Sequence, residues 1–482
     1  MRPLCAALAL AIGFPSAPLV AQAPLDRNLL PTPGPTPVTH IPSWTSTTLA
    51  NGALLVVTEK HDLPLVSFSI RVVGGRYNFE PAGKQGVAEF TSQMLSEGTT
   101  SRTADQLSDA QQLLGTTILS SVRGEEGSVR FTSLSPSYEP ALALVVDMLL
   151  NSTFPAEALE RIRGRTLVQL QQARDRPNAI ASDVFAKVLY GNEHPYGRVM
   201  TERTVNAITR DDIVAFHHAY YRPGRTVISV TGDVQPEAVK AAVERAFAAW
   251  TPGGARPAWH YPPPPARRAR TIYLVDKPHA AQSVFAIGIP GPPRNTPDYY
   301  SIEVMNTLLG GLFQSRLNHD IREVKGFSYG VFSRFEFGRG PGAFRAGGGI
   351  VTAKTDSALI EFMKQFRDAQ GAVPFTDDEM QQGKQSLIQS LPSRFASVDQ
   401  IGASVATIFV QGLPQSYYQQ YPGKIDAVTR ADLVRMAKKY IDLAHIDIVI
   451  VGDRGTVEAR LKDTGIAPIV LLDLDGRPVA TP

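Results

Sequence analysis

The chain has 482 residues, of which 43% are hydrophobic and 19% are charged, so it is long enough for two to four compact domains. Its 48 basic and 45 acidic residues give a net charge of +3, without a run of five or six like charges. This balance argues against a nucleic-acid-binding surface and against a charged binding tail. Cys5 is the only cysteine, which excludes a disulfide framework.

The first 23 residues have the pattern of a secretory signal peptide. Met1-Arg2 is a short positive start, residues 4–14 are apolar, and Ala21-Gln22-Ala23 is a small-residue cleavage site. A membrane span needs about 20 apolar residues, so this run is too short to be one. Cys5 precedes the apolar run, whereas a lipoprotein cysteine would follow it. We therefore predict export to the periplasm or the medium of a bacterium, and no membrane span.

After a short extension over residues 24–43, the pattern predicts strands first and helices later. An Asn51-Gly52 turn predicts a hairpin over Thr47–Val57. Further strands are predicted at Leu65–Val73 and Ser128–Ser133. Helical spacing or start signals predict helices at residues 86–95, from Thr103 onward, and at residues 138–151, 156–173 and 179–190.

Two stretches of the chain share one sequence pattern. Residues 209–234 and 429–454 each begin with Thr-x-x-Asp, continue with a helical apolar pattern, and end in a β-rich run before Gly-Asp. Their offset is constant, since 429 − 209 and 452 − 232 are both 220. We predict an α+β fold with homologous halves at residues 44–250 and 271–482, each an antiparallel sheet with helices on one face. The proline-rich residues 251–270 are predicted to be a semi-rigid linker.

The predicted helix at residues 86–95 carries a degenerate motif. It reads GVAEFTSQML and is followed by SEGT. This segment resembles the zinc helix of the insulinase/pitrilysin-type peptidases, which include mitochondrial processing peptidase and are clamshells of two halves. In that family an HxxEH motif lies between a similar lead and tail, whereas Glu89, Ser92 and Gln93 occupy its positions here. The resemblance implies that the third ligand, a Glu in the family, corresponds to Gln169.

The resemblance extends over nearly the whole exported chain, because residues 193–198 (EHPYGR) and 220–223 (YYRP) also match family segments. The zinc chemistry does not survive. A catalytic zinc needs three imidazole or carboxylate ligands, of which only Glu89 remains; Gln93 and Gln169 offer neutral amides. Ser92 cannot act as a general base near neutral pH. We predict that this chain holds no metal and is not a peptidase by itself.

A second motif lies in the other half. Residues 309–317 read LGGLFQSRL and residues 321–330 read IREVKGFSYG. They resemble the family's LGGG-SRL…LRE stretch, which carries an arginine and a tyrosine seven residues apart, here Arg322 and Tyr329. The resemblance implies that this pair donates hydrogen bonds to the substrate carbonyl and the oxyanion at a zinc site in the other half or in a partner subunit.

From the residues alone, a structural explanation of this pair stays open. An arginine near the C-terminal end of a short helix interacts favourably with the helix dipole, and Gly326 is a natural helix stop. Tyr329 would then be an ordinary strand aromatic.

Some bacterial family members divide the two motifs between two chains, and this chain has the pattern of the subunit without HxxEH. We predict the non-catalytic subunit of a heterodimeric zinc peptidase, with zinc in an HxxEH-bearing partner. An unfolded peptide would bind by β-addition to an exposed sheet edge. One alternative is a catalytically silent scaffold or peptide-binding protein, since relatives of this fold serve as core subunits of a respiratory complex. The other is an enzyme with an unforeseen metal site.

Overall fold

The computed structural model describes residues 39–256, 261–266 and 269–479. The predicted signal peptide with Cys5, most of the extension, and parts of the linker lie outside the described residues. No helix in the described part combines the length and the apolar character needed to cross a membrane.

The described residues form twelve strands and seventeen α-helices. The strands are β1 (Thr45–Thr48), β2 (Leu54–Glu59), β3 (Leu65–Val73), β4 (Leu119–Val122), β5 (Glu126–Leu134), β6 (Thr226–Gly232), β7 (Thr271–Asp276), β8 (Gln282–Pro290), β9 (Ser328–Glu336), β10 (Ala343–Val351), β11 (Asp447–Gly452) and β12 (Ile469–Leu472). The helices are α1 (Gly75–Phe79), α2 (Val87–Met94), α3 (Ala104–Leu113), α4 (Tyr138–Leu150), α5 (Ala156–Ala173), α6 (Pro177–Tyr190), α7 (Glu202–Asn206), α8 (Arg210–Tyr220), α9 (Pro236–Ala246), α10 (Tyr299–Asn306), α11 (Arg316–Asn318), α12 (Thr355–Arg367), α13 (Asp377–Gln389), α14 (Val398–Gln411), α15 (Tyr417–Asp426), α16 (Arg430–Tyr440) and α17 (Arg454–Asp463).

The strands form two six-stranded sheets with orders β1-β2-β6-β3-β5-β4 and β12-β7-β11-β8-β10-β9. Neighbours are antiparallel except for the pairs β2–β6, β7–β11 and β7–β12, which are parallel. The predicted α+β fold with two sheet-plus-helix halves is confirmed, and both sheets are mixed rather than purely antiparallel. Strands β4 and β9 end the two sheets in corresponding places.

Local sequence signals explain several element boundaries. The hairpin β1–β2 turns at Asn51-Gly52, where Gly52 has φ of +93°. Thr103, Thr209 and Thr429 each accept a backbone hydrogen bond and complete a capping box, which confirms the three predicted helix starts. The strand predicted at residues 65–73 and the helix predicted at residues 156–173 have those bounds in the structure.

Each sheet has helices on both faces, which differs from the one-faced arrangement predicted from the sequence. Helix α6 of the first half lies on β8 and β11 of the second sheet, and α14 of the second half lies on β2, β3 and β6 of the first. Every residue of β6 is buried, as expected of a strand covered on both sides. Each half therefore supplies a helix that covers one face of the other half's sheet.

Helix α14 approaches the first sheet closely. The Ser229 hydroxyl donates to the Gly402 carbonyl at 3.1 Å, and a side chain at Gly402 would meet the Thr231 hydroxyl at 3.2 Å. At the start of the helix, the carboxylate of Asp399 accepts hydrogen bonds of 2.6 Å from Ser67 and Thr132. Both contacts connect residues that are far apart in sequence, so they fix the second half onto the first.

Glu125 lies where the two halves and the linker meet. Its carboxylate accepts hydrogen bonds from the hydroxyls of Tyr196 in the first half and Tyr261 in the linker. It also accepts two bonds of 2.9 Å from the backbone N–H of Arg339 in the second half. Burial, and then the charge of Glu125, raise the pKa of Tyr196 above its usual range, so the phenol stays neutral and donates.

We expect the substitution E125A to cost about 2 kcal/mol of stability, because hydrogen bonds to a charged acceptor contribute roughly 1.5–3 kcal/mol. The readout is the midpoint of thermal unfolding, which should fall. E139A is the matched control, since Glu139 forms an exposed ion pair with Arg245 whose loss should cost less than about 1 kcal/mol. Equal behaviour of E125A and E139A would contradict this role of Glu125.

Candidate functional site

Helix α2 is the helix whose sequence resembles the family's zinc helix, and its start is anchored by Glu80. One oxygen of the Glu80 carboxylate accepts from the backbone N–H groups of Gly86 at 2.9 Å and Ala88 at 3.1 Å. Burial raises the pKa of Glu80, and these two N–H bonds oppose the rise. The side chains of Phe90 and Met94 are fully buried in the core of the first half, which turns Glu89 to the surface.

The structure brings Glu89, Ser92 and Gln93 together. The Gln93 side-chain amide donates to the Glu89 carboxylate at 3.1 Å, one helical turn away. The Ser92 hydroxyl is buried and donates to the Glu89 carbonyl at 2.8 Å. Gln169 is exposed on α5 and forms no hydrogen bond to these three residues. One of the four predicted positions therefore stays apart from the others.

A cation from the protein itself lies at this site. Arg165, one turn before Gln169 on α5, donates to the side-chain oxygen of Gln93 at 3.1 Å. A second pair joins Arg161 of α5 to Glu97, which follows the end of α2 by three residues. Sequence reasoning missed Arg165, although its spacing of four residues from Gln169 put it on the same helix face.

These residues do not fit a catalytic zinc. Both ends of the Gln93 amide are engaged, the Ser92 hydroxyl is bonded to its own backbone, and a guanidinium already lies beside the position of a ligand. Over residues 39–256, 261–266 and 269–479, no three His, Cys, Asp or Glu side chains lie close enough together to bind a metal. The donors present are an amide, a hydroxyl and one carboxylate, which is short of the three ligands that catalytic zinc requires.

Arg322 and Tyr329 are brought together on the second half. Arg322 belongs to a π-helical segment, His319–Val324, and Tyr329 is the second residue of the edge strand β9. The guanidinium carbon of Arg322 is 5.0 Å from the ring centre of Tyr329 and 4.3 Å from that of Phe313. The guanidinium thus contacts two aromatic rings, one of which the sequence analysis did not single out.

The N–H groups of Arg322 are unpaired in the described part of the chain. The Arg322 side chain forms neither an ion pair nor a hydrogen bond there, and the same holds for the Tyr329 hydroxyl. Tyr329 is 86% exposed and Phe313 is 57% exposed. Such exposure argues against a core-packing role for Tyr329, and its place on β9 is also the one expected of the ordinary strand aromatic that the sequence left open.

Arg316, from the same motif, has the opposite environment. Its guanidinium forms a two-pronged contact with Glu379, at 2.6 and 2.8 Å, and donates to the carbonyls of Val373 and Pro374. Arg316 therefore has a structural role, and Arg322 is the arginine of this motif whose donors remain available.

The backbone around Arg322 is unusual. The described residues contain three π segments, Thr307–Gly311, His319–Val324 and Asp368–Ala372. The second contains Arg322, and the first ends two residues before Phe313. π-Helical turns occupy well under 1% of residues and are frequent at functional sites.

We expect the variant E89H/Q93H/Q169E to bind about one zinc ion per chain, because it restores two imidazoles one turn apart on α2 and a carboxylate on α5. Zinc is measured by elemental analysis after dialysis and by calorimetric titration. The control is D105H/D109H, which places two histidines at the same spacing on the exposed face of α3. If the restored variant bound no more zinc than this control, α2 and α5 would not have the geometry of a zinc site.

Comparisons with known proteins agree with the motifs. The model described as "Insulinase (Peptidase family M16)" matches residues 55–201, and the model described as "Peptidase M16 inactive domain" matches residues 207–387. An uncharacterized zinc protease of Mycobacterium leprae is 31% identical over 61% of this chain and 66% of its own length. One from Mycobacterium bovis is 31% identical over 61% and 67%. The match thus spans about two thirds of these curated relatives.

Two solved structures have the same fold. The peptidase M16 inactive domain from Pseudomonas fluorescens is 26% identical with a TM-score of 0.77, over 85% of this chain and 98% of that one. The periplasmic protease PqqL from Escherichia coli is 16% identical with a TM-score of 0.72, over 88% of this chain and 48% of that one. The chain therefore belongs to the insulinase family of peptidases, M16.

Proposed function

We propose that this chain is the non-catalytic subunit of an exported heterodimeric zinc peptidase, in which Arg322 and Tyr329 bind the substrate at the partner's zinc site. The observation that carries the proposal is the Arg322 guanidinium, which contacts two aromatic rings while its N–H donors are unpaired in the described part of the chain. Five unsatisfied donors in a fixed plane are suited to a carbonyl or an oxyanion. The acceptor would then come from outside the described residues, which is where a bound substrate would be.

The chemistry divides between the two subunits. Zinc in an HxxEH-bearing partner would polarise the carbonyl and activate water. Arg322 and Tyr329 would donate hydrogen bonds to the substrate carbonyl, and to the oxyanion as negative charge develops on it. One donor of this kind typically lowers the barrier by about 3–4 kcal/mol. The site around Glu89, Gln93 and Arg165 has no part in this chemistry, because its donors do not fit the metal.

The edge of the first sheet supports peptide binding by β-addition. Strand β4 has a neighbour on one side only, contacts α2, and carries Leu119, which is half-exposed. On β9, the other edge next to Tyr329, the backbone N–H of Val331 is occupied by the Asn318 side chain at 3.1 Å. An incoming strand therefore meets more open backbone on β4 than on β9.

Export is the part of the proposal that rests on the amino-terminal pattern. Residues 1–23 combine a positive start, an apolar run and a small-residue cleavage site. The Escherichia coli neighbour, named as a periplasmic protease, shares the fold and is compatible with this location.

We expect R322A and Y329F to lower the turnover of the complex by about one to three orders of magnitude, by the precedent of oxyanion donors. The complex is isolated through a tag on this chain, and kcat and KM are measured on a quenched fluorescent peptide. Complex formation should be unchanged, because Tyr329 is exposed and neither side chain forms a hydrogen bond or an ion pair in the described part of the chain. R334A is the control, since Arg334 lies on the same strand over the Phe332 ring but is paired with Glu336. Wild-type turnover in both variants would overturn the assigned role.

A further inference from the structure

We propose that Phe313 is a positioning and specificity-determining residue of the site formed by Arg322 and Tyr329. This inference rests on the proposed function and extends it to the class of substrate. It starts from the guanidinium of Arg322, whose carbon lies 4.3 Å from the ring centre of Phe313 and 5.0 Å from that of Tyr329. The Phe313 contact is the shorter of the two.

The two rings restrict the motion of Arg322. A free arginine side chain samples many rotamers, and ordering it opposes binding. Aromatic rings at cation–π distance stabilise the charged guanidinium and leave its edge, with the N–H groups, open to a ligand. Contact with Phe313 thus reduces the conformational freedom that the Arg322 side chain still has to lose when it binds a carbonyl oxygen.

A buried asparagine couples the two rings. Asn318 is 4% exposed, and its side-chain N–H donates to the Phe313 carbonyl at 2.7 Å. Its side-chain oxygen accepts from the backbone N–H of Val331, two residues after Tyr329, at 3.1 Å. One amide therefore fixes the loop of Phe313 against the strand of Tyr329. We define Phe313, Asn318 and Tyr329 as the Arg322 clamp.

The base of the Phe313 loop is packed closely on β9. A side chain at Gly310 would meet the backbone nitrogen of Ser333 on β9 at 2.3 Å. The Ser333 hydroxyl donates to Asn306, in the helix before the loop, at 2.9 Å. The loop is thus packed directly on β9, and its tip presents the 57% exposed ring of Phe313.

The exposed part of this ring determines the class of substrate. A peptide carbonyl that accepts a hydrogen bond from Arg322 brings its neighbouring side chain close to Phe313. Burial of a large apolar side chain against an aromatic ring is favourable, whereas a small or charged side chain gains little there. The site therefore selects peptide bonds next to a large aliphatic or aromatic residue.

The test compares F313A, F313Y and the wild type in the complex that contains the HxxEH subunit. Reduced and alkylated casein is digested, and the cleavage sites are mapped by mass spectrometry. We expect the wild type to prefer bonds beside large apolar residues. This preference should fall about tenfold in F313A and should be retained in F313Y. A cleavage profile that F313A leaves unchanged would overturn the specificity role.

The positioning role is tested separately by kcat. F313A should lower kcat in the wild-type background and leave it unchanged in the R322A background, because Phe313 acts on kcat through Arg322. N318D keeps the acceptor but removes the donor to the Phe313 carbonyl, so it should lower kcat in the same way. Additive losses in F313A/R322A would contradict coupling of the two residues.

A last measurement uses the full chain without its partner, so that failure of the proposed function can be told apart from failure of this inference. Phenylglyoxal modifies arginines, and the rate at Arg322 is followed by mass spectrometry. We expect F313A to raise this rate about two- to fivefold, because the loss of one exposed cation–π contact corresponds to a factor of that size. The rate at Arg334 serves as the internal reference. An unchanged rate at Arg322 would overturn the clamp even if R322A reduces turnover.

Discussion

The structure depends on the exchange of two helices between its halves. Each sheet has one face covered by helices of its own half, and its second face is apolar and needs a cover. Helix α14 supplies that cover to the first sheet and α6 to the second, which buries both faces of strands such as β6. Neither half can bury its sheet completely without the other, and Glu125 connects both halves to the linker at the same junction. The two halves are therefore one packing unit, and Arg322 has a fixed position relative to α2.

In the first half, the protein's own side chains pair with one another around Glu89, Ser92 and Gln93. Arg165 of α5 contacts Gln93 of α2, and Arg161 of α5 contacts Glu97 just after that helix, so positive side chains link α5 to the α2 segment. In the second half the situation is reversed. Arg322 is held by aromatic contacts, and its donors have no partner in the described residues. In the first half the side chains around Gln93 pair with one another, whereas in the second half the Arg322 donors are unpaired among the described residues.

Much of this could be predicted from the sequence, for identifiable reasons. Thr103, Thr209 and Thr429 are local caps whose effect does not depend on distant contacts, and Asn51-Gly52 specifies a tight turn by itself. The pairing of Arg322 with Tyr329 followed from the family motif. The packing of α6 and α14 on the sheet of the opposite half could not be predicted, because an apolar helix face does not indicate which sheet it covers. The roles of Phe313 and Asn318 depend on contacts between a loop and strand β9, which residue spacing does not encode.

The most direct test of the account is isolation of the native complex. The chain is tagged at its carboxyl terminus and purified from its own host, co-purifying proteins are identified, and zinc and peptide hydrolysis are measured on the same fraction. The account predicts a stoichiometric family member that bears HxxEH, together with zinc and an activity that this chain lacks alone. Recovery of the chain alone or paired with itself, without metal and without activity, would contradict the role in catalysis and favour a scaffold or peptide-binding protein.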